Sequence, residues 1–233
     1  MIKAIAFDLD HTLYNRDFTW DNLLPQFLTT FHDELNPPLS QVEILRSLKS
    51  ADRRSTYEET SWRGMLEELI KTQVLCERAS FEKFYAFICQ YFPDAIVPYP
   101  DTYDVLVWCR ENGFHPSIIT NGHPGLQERK LRSMKLEGYV EECIVCNLDS
   151  GVGCKPEPDA FLELSRRLRI LPEEILYVGD NPINDIEGAR NAGMKTAWLN
   201  VMDNWIPDIE PADYEISALC ELQRFIKNST EAD

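Results

Sequence analysis

The chain has 233 residues, of which 44% are apolar, so it is long enough for one large domain or for a core domain with a smaller insert. Its formal net charge of −16 argues against nucleic acid or an anionic membrane surface as the main partner. The sequence opens directly on an apolar segment without a basic leader, and no apolar run approaches the roughly 18 residues of a membrane span. We therefore expect a cytoplasmic protein.

The first predicted element is a strand over residues 2–7, whose apolar run leads directly into Asp8-Leu9-Asp10. Open α/β sheets bind ligands at the carboxyl ends of their strands, which is where these two aspartates fall. In extended backbone Asp8 and Asp10 point to the same side, so their like charges raise the cost of ionising both. A divalent cation bound there would remove that cost.

Residues 16–98 show helical periodicity, which predicts a separate all-helical lobe with helices over residues 18–31, 40–50, 60–75 and 81–92. Two sets of side chains in this lobe could contact a substrate, but each has a more ordinary explanation. Basic residues along one helix face are usually solvated, and aromatic residues at helical spacing are usually core. These sets are Arg46, Lys49, Arg53 and Arg54, and Trp20, Phe27, Phe31 and Trp62.

From about residue 100 onward, predicted helices and strands alternate. Helices are predicted over residues 101–111, 124–134, 159–168, 184–192 and 217–227, and strands over residues 114–120, 142–146, 175–178 and 196–199. This alternation indicates βαβ units, hence an α/β fold in which a parallel sheet carries helices on both faces. Cys143 and Cys146 fall on one predicted strand, where an offset of three sends side chains to opposite faces, so we expect core thiols rather than a metal or redox pair.

Four motifs occur in chain order, each at the end of a predicted strand or in the loop after it. They are Asp8-Leu9-Asp10-His11-Thr12, Ser117-Ile118-Ile119-Thr120-Asn121-Gly122, Gly153-Cys154-Lys155-Pro156, and Gly179-Asp180-Asn181-Pro182-Ile183-Asn184-Asp185. Together they resemble the signatures of the haloacid dehalogenase-like superfamily. The resemblance implies a Rossmann-like catalytic core over residues 1–15 and 99–233, and a small helical cap over residues 16–98.

The resemblance also implies different roles for the two aspartates of the first motif. Asp8 would be the nucleophile that forms an aspartyl-phosphate. Asp10 would protonate the leaving oxygen and later deprotonate water, which suits a carboxyl group whose pKa is raised by its surroundings. Dehalogenases resemble this pattern but lack the second aspartate, so Asp10 favours phosphoryl chemistry. His11 occupies a variable position, where a turn or space-filling role is favoured over a catalytic one.

The other three motifs would hold the phosphate and a metal ion. By resemblance, the Thr120 hydroxyl, nearby amides of Asn121 and Gly122, and the Lys155 ammonium bind phosphate oxygens. The family's usual Mg²⁺ ligands correspond to the Asp8 carboxylate, the Asp10 backbone carbonyl and Asp180. Asp185 would orient the lysine or a metal-bound water. Asn184 could either cap the helix that follows or contact the site.

The sequence therefore predicts a Mg²⁺-dependent phosphatase that hydrolyses a small phosphorylated metabolite. A nucleotide, phosphoglycolate and a sugar phosphate all remain open as substrates. Alternatives are a phosphomutase of the β-phosphoglucomutase type, a phosphonate hydrolase that would need an imine-forming lysine such as Lys49, Lys71 or Lys83, and a non-catalytic binding protein that kept the fold. Neither the cap residues that set specificity nor the oligomeric state follows from the sequence.

Overall fold

The computed structural model describes residues 1–36, 38–57, 61–147 and 153–230. The chain divides into two compact units, one made of Met1–Asn15 with Pro98–Asp233 and the other of Arg16–Val97. Tyr14 and Pro98 form an antiparallel bridge, which joins the two ends of the first unit at the point where the second is inserted. Among the described residues, no helix has both the length and the apolar character that crossing a membrane requires.

The unit Arg16–Val97 is built from helices, as predicted. They are α1 (Arg16–Thr30), α2 (Gln41–Tyr57), α3 (Ser61–Lys71) and α4 (Phe81–Tyr91). Helix α4 begins after Ser80, whose hydroxyl accepts a hydrogen bond from the backbone N–H of Lys83 at 3.2 Å. The helix predicted over residues 60–75 ends earlier, at Lys71, because the chain turns at Gln73 with a φ of 60°. Its predicted first residue, Thr60, lies outside the described residues.

Aromatic side chains at helical spacing form the core of this helical unit. Trp20, Phe27 and Phe31 are fully buried, which agrees with their ordinary explanation as core residues. The Phe27 ring packs edge-on against Phe87, with ring centroids 5.8 Å apart. Trp62 is half-buried, and the guanidinium carbon of Arg16 lies 4.8 Å from the centre of its ring.

Three of the four basic residues that could have formed an anion site are paired with carboxylates of the same unit. Lys49 binds Asp21 at 2.7 Å, Arg54 binds Glu68 at 2.7 Å, and Arg53 binds Asp17. Such pairs are typical of a solvated charged surface. They supply the opposite charge that an anionic ligand would otherwise have to provide.

The unit Met1–Asn15 with Pro98–Asp233 contains a six-stranded, wholly parallel sheet. Its strands are β1 (Ala4–Phe7), β2 (His115–Asn121), β3 (Glu142–Cys146), β4 (Ile175–Gly179), β5 (Lys195–Leu199) and β6 (Tyr214–Ile216), in the order β3-β2-β1-β4-β5-β6. The predicted parallel α/β sheet is confirmed. Strand β6 was not predicted, because it has only three residues at the sheet edge and includes the exposed Glu215.

Helices connect these strands and cover both faces of the sheet. They are α5 (Thr102–Glu111), α6 (Pro124–Ser133), α7 (Asp159–Leu168), α8 (Gly188–Asn191) and α9 (Leu222–Thr230). From β1 to β3 each strand adds toward one edge of the sheet, and from β4 to β6 each adds toward the other edge. Right-handed crossovers therefore put α6 on one face and α7 and α8 on the other. On the face of α7 and α8, buried side chains such as Ala6, Phe161 and Tyr177 form one apolar cluster.

The fourth motif folds differently from its predicted form. A π-helical segment, Pro182–Glu187, precedes the short helix α8, in place of one α-helix over residues 184–192. Asn181 caps this segment, since its side chain accepts from the backbone N–H groups of Ile183 and Asn184 at 3.0 Å each. The residue that caps this segment is therefore Asn181 and not Asn184.

Candidate active site

The sheet order brings the sequence motifs together. Strand β1 lies between β2 and β4, so Asp8, Thr120 and Asp180 all lie at the carboxyl ends of neighbouring parallel strands. The backbone N–H of Asp8 donates to the Val178 carbonyl at 2.9 Å, which extends the pairing of β1 with β4 by one residue. The reversal of strand order beside β1 makes this edge the ligand crevice that open α/β sheets provide.

Lys155 connects the third motif to the first and the fourth. Its ammonium nitrogen lies 2.7 Å from Asp8 Oδ1 and 2.6 Å from Asp185 Oδ1. It also donates to the Tyr177 hydroxyl at 2.9 Å, and that hydroxyl donates to the Ile119 carbonyl at 3.0 Å. Burial alone would lower the pKa of this lysine, but the Asp185 and Asp8 carboxylates outweigh it and hold the pKa well above its usual value. Lys155 is therefore a fixed positive charge.

Asp8 is in a different electrostatic situation from Lys155. Burial raises the pKa of Asp8 to about 7; the ammonium of Lys155 opposes this rise, and the Asp185 and Asp10 carboxylates add to it. The Asp8 carboxylate is therefore poorly compensated when no further cation is present.

Three buried carboxylates form a group that fits a hard cation. Oxygen atoms of Asp8, Asp180 and Asp185 all lie within 4.8 Å of one another. Even with the charge of Lys155, this set retains a net negative charge when ionised, and oxygen donors are the ligands that Mg²⁺ prefers. The residues present therefore fit a divalent cation. Among the residues that the structure describes, this is the one such group of His, Cys, Asp and Glu side chains.

The two aspartates of the fourth motif are held by different contacts. Asp180 accepts from the Thr12 hydroxyl at 3.4 Å, and its backbone carbonyl accepts from Trp198 Nε1 at 3.0 Å. Both oxygens of Asp185 have donors, namely Lys155 Nζ at 2.6 Å and the Asn181 N–H at 2.9 Å. A Cβ atom at Gly179 would collide with the Asp185 side chain, so only glycine leaves it room.

The second motif supplies Thr120 and anchors the loop of Lys155. The Thr120 oxygen accepts from Gln127 Nε2 at 2.6 Å, which leaves its hydroxyl hydrogen available to donate. The Asn121 side chain donates to the Lys155 carbonyl at 2.8 Å and accepts from the Lys155 N–H at 3.0 Å. The Gly122 N–H already donates to the Cys146 carbonyl at 2.9 Å, so this amide does not make the predicted phosphate contact in this conformation.

Asp10 is held by residues that the sequence interpretation missed. Lys130 Nζ lies 2.7 and 3.0 Å from its two carboxylate oxygens, Gln127 Nε2 donates to Oδ2 at 3.0 Å, and the Tyr14 hydroxyl donates to Oδ1. Three donors, one of them an ammonium, therefore hold the two oxygens of this carboxylate in place. The role of Asp10 as general acid and base stays a prediction from the sequence.

A sequence signal for Gln127 and Lys130 was present. Both lie on α6, and the buried face of that helix also includes Leu126, Leu131 and the adjacent Met134. Two polar residues within an apolar stripe, directly after the second motif, call for buried polar partners. Tyr177 carries no comparable signal, because an aromatic residue in a buried strand is ordinary.

The remaining candidates lie outside this cluster of contacts. His11 is buried in a turn with a φ of 61°, which agrees with the turn role favoured from the sequence. Cys143 and Cys146 are free thiols, and burial raises their pKa to about 12 and about 11. Raised values are typical of inert core cysteines.

Comparison with known proteins gives a family and several relatives. The family model described as haloacid dehalogenase-like hydrolase matches residues 2–193. A glyceraldehyde 3-phosphate phosphatase from Methanopyrus kandleri is 29% identical over 95% of this chain and 96% of its own. A pyrophosphatase PpaX from Halalkalibacterium halodurans is 26% identical over 95% of both chains. The crystal structure of a HAD phosphatase from Thermococcus onnurineus is 29% identical, with a TM-score of 0.65 over 97% of this chain and 98% of that one.

Proposed function

Because the chain belongs to the haloacid dehalogenase-like hydrolases and is a phosphatase of that family, we propose that it hydrolyses a small phosphorylated metabolite with Mg²⁺ through an aspartyl-phosphate on Asp8. The observation that carries this proposal is the position of the Lys155 ammonium, 2.7 Å from Asp8 and 2.6 Å from Asp185, beside the three-carboxylate group. Such an arrangement places a fixed positive charge beside the nucleophile, where it can stabilise a dianionic phosphate.

In the proposed reaction an Asp8 oxygen attacks phosphorus, and the bond from phosphorus to the leaving oxygen breaks. Asp10 delivers a proton to that oxygen and later takes one from the water that cleaves the aspartyl-phosphate. The Thr120 hydroxyl and the Lys155 ammonium bind the non-bridging oxygens of the phosphoryl group. A Mg²⁺ ion held by Asp8, Asp180 and the Asp10 carbonyl would supply charge neutralisation at the phosphate. Asp185, with both oxygens engaged, would hold Lys155 in place.

We assign the unit Met1–Asn15 with Pro98–Asp233 as the catalytic core and the helical unit Arg16–Val97 as the cap that determines specificity. The names of the relatives, a glyceraldehyde 3-phosphate phosphatase and a pyrophosphatase, favour a small substrate. Glyceraldehyde 3-phosphate and pyrophosphate are therefore the first two compounds to test. Cytoplasmic localisation and the lack of a nucleic acid partner stay predictions from the sequence.

Two alternative reactions can be distinguished from hydrolysis, one by its product and the other by trapping of an imine intermediate. A phosphomutase would return an isomeric sugar phosphate with little free phosphate. A phosphonate hydrolase would need a cap lysine that forms an imine, but Lys49, Lys71 and Lys83 are each paired with a carboxylate, at 2.7, 3.5 and 2.7 Å respectively. Each of these ammonium groups is therefore already engaged within the helical unit.

The test is release of phosphate from a panel of phosphate esters and pyrophosphate, with and without Mg²⁺. We expect metal-dependent release that Asp8→Asn and Asp180→Asn abolish. The exposed Asp208, changed to Asn, is the matched control and should retain full activity. Full turnover by Asp8→Asn would disprove the mechanism. Absence of both Mg²⁺ binding and turnover across the panel would instead favour a non-catalytic binding protein.

A further inference from the structure

A buried lysine outside the four motifs contacts Asp10. The side chain of Lys130 is 2% exposed, and its ammonium lies 2.7 Å from Asp10 Oδ1 and 3.0 Å from Oδ2. We propose that Lys130 is a positioning residue, which together with Gln127 holds the Asp10 carboxylate as the base for hydrolysis of the aspartyl-phosphate. This inference rests on the proposed function, in which Asp10 performs that proton transfer.

The burial of Lys130 needs a compensating interaction. Removing an ammonium from water is unfavourable even after local relaxation, and only a well-placed partner offsets this penalty. Helix α6 could have packed with an apolar residue at this position, as it does with Leu126 and Leu131. Instead it directs a cation at both oxygens of one carboxylate. The contact removes much of the rotational freedom of the Asp10 side chain, because two oxygens are held by one nitrogen.

Gln127 connects Asp10 to the residue proposed to bind phosphate. Its single amide nitrogen lies 3.0 Å from Asp10 Oδ2, 2.6 Å from Thr120 Oγ1 and 3.2 Å from the Asn121 carbonyl. The side chain also packs against Gly122, where an added Cβ would lie 3.0 Å from Gln127 Cγ. The base and the phosphate-binding hydroxyl are thus fixed by one side chain.

The two contacts favour one half of the reaction in particular. When water attacks the phosphorus of the aspartyl-phosphate, the bond to the Asp8 oxygen breaks and Asp8 leaves as a carboxylate. The proton lost by the water goes to an oxygen of Asp10, so Asp10 must enter this step as a carboxylate. Donation from Lys130 and Gln127 holds that carboxylate in place to receive the proton. The first step, with a leaving group that needs no acid, makes no such demand.

The experiment follows p-nitrophenyl phosphate with Mg²⁺ in rapid mixing, because p-nitrophenolate leaves without a proton. For Lys130→Met we expect a burst of nitrophenolate of about one per active site, followed by a steady state slower by about 100-fold. The phosphoenzyme should accumulate and map to Asp8 by mass spectrometry. Lys130→Arg should recover part of the steady-state rate, and Gln127→Leu should show the same pattern more weakly. Arg132→Met, an exposed cation on the same helix, should behave like the unchanged protein.

Two results would overturn the inference. One is that Lys130→Met slows the burst and the steady state equally, as general distortion of the site would do. The other is that Lys130→Met lowers the steady-state rate of Asp10→Asn by the same factor as it lowers the rate of the unchanged protein. A residue that acts through Asp10 has nothing left to position in the Asp10→Asn variant, so it should cause little further loss there. If Lys130→Met fails to fold, Gln127→Leu decides by the same two criteria. Failure of the proposed function is distinct, because the unchanged protein would then release no phosphate or Asp8→Asn would remain active.

Discussion

The ammonium of Lys155 lies 2.6 Å from an Asp185 oxygen, and the Asp185 side chain is 1% exposed. This ion pair places the lysine from one side while Asp8 contacts it from another. A buried lysine that loses one of two carboxylate partners is free to move toward the other. The ion pair with Asp185 therefore fixes the position of the charge that is proposed to bind the phosphate.

We expect Asp185→Asn to lower kcat by about 10- to 100-fold, the usual cost of losing a group that orients a functional side chain. Mg²⁺ binding should weaken less than in Asp180→Asn, because both oxygens of Asp185 are already engaged by Lys155 and by the Asn181 N–H. Steady-state kinetics and calorimetric Mg²⁺ titration of the two variants test this. Equal loss of Mg²⁺ affinity in both would make Asp185 a direct metal ligand.

The pKa of Asp8 predicts how Mg²⁺ binding depends on pH. Burial raises this pKa to about 7, so in the metal-free protein Asp8 carries a proton below that pH. A cation must displace the proton, and its affinity should therefore fall about tenfold for each pH unit below about 7 and level off above it. Calorimetry in two buffers of different ionisation enthalpy should show about one proton released at about pH 6. Affinity that is constant across this range would contradict the raised pKa.

The helical unit contains an ion pair whose loss should be costly. Arg16 donates to both oxygens of Asp52 at 2.7 Å, and the side chains are 8% and 0% exposed. Asp52→Ala leaves the guanidinium buried without this carboxylate, so we expect a loss of about 3–5 kcal/mol in the free energy of unfolding. Asp33→Ala, in the same unit and highly exposed, is the control. Urea denaturation of both variants measures the difference, and equal stability would contradict the expectation.

Thiol labelling tests the assignment of the Cys143 and Cys146 pair. Burial raises the pKa of Cys143 to about 12 and that of Cys146 to about 11, whereas a hydrogen bond from Arg78 lowers the pKa of Cys76. Because the thiolate is the reactive form, Cys76 should react first with N-ethylmaleimide and the pair should react slowly until the protein unfolds. Mass spectrometry of partly labelled protein locates the adducts. Rapid labelling of the pair would revive a redox role.

The sequence was sufficient to predict the parallel sheet and to place the motif residues at its carboxyl edge, because strand ends in such sheets share one edge wherever the strands lie in the order. It was not sufficient for the contacts of Asp10. The positions of Gln127 and Lys130 within the apolar stripe of α6 indicate that both face inward, but only the packing of α6 identifies Asp10 as their partner. Strand β6 escaped prediction for the opposite reason, since three residues are too few to show periodicity.

The position of β1 in the sheet also bears on how the protein is made. This strand precedes the other five in the sequence, but Ala4 pairs with His115 on one side and with Ile175 on the other, both more than a hundred residues later. Loops of that length must close before the central strand gains either neighbour, and contacts so distant in sequence form slowly. During synthesis on the ribosome, Asp8 emerges 172 residues before Asp180. A chain that has not yet reached Asp180 therefore carries the proposed nucleophile without the aspartate proposed to help hold Mg²⁺.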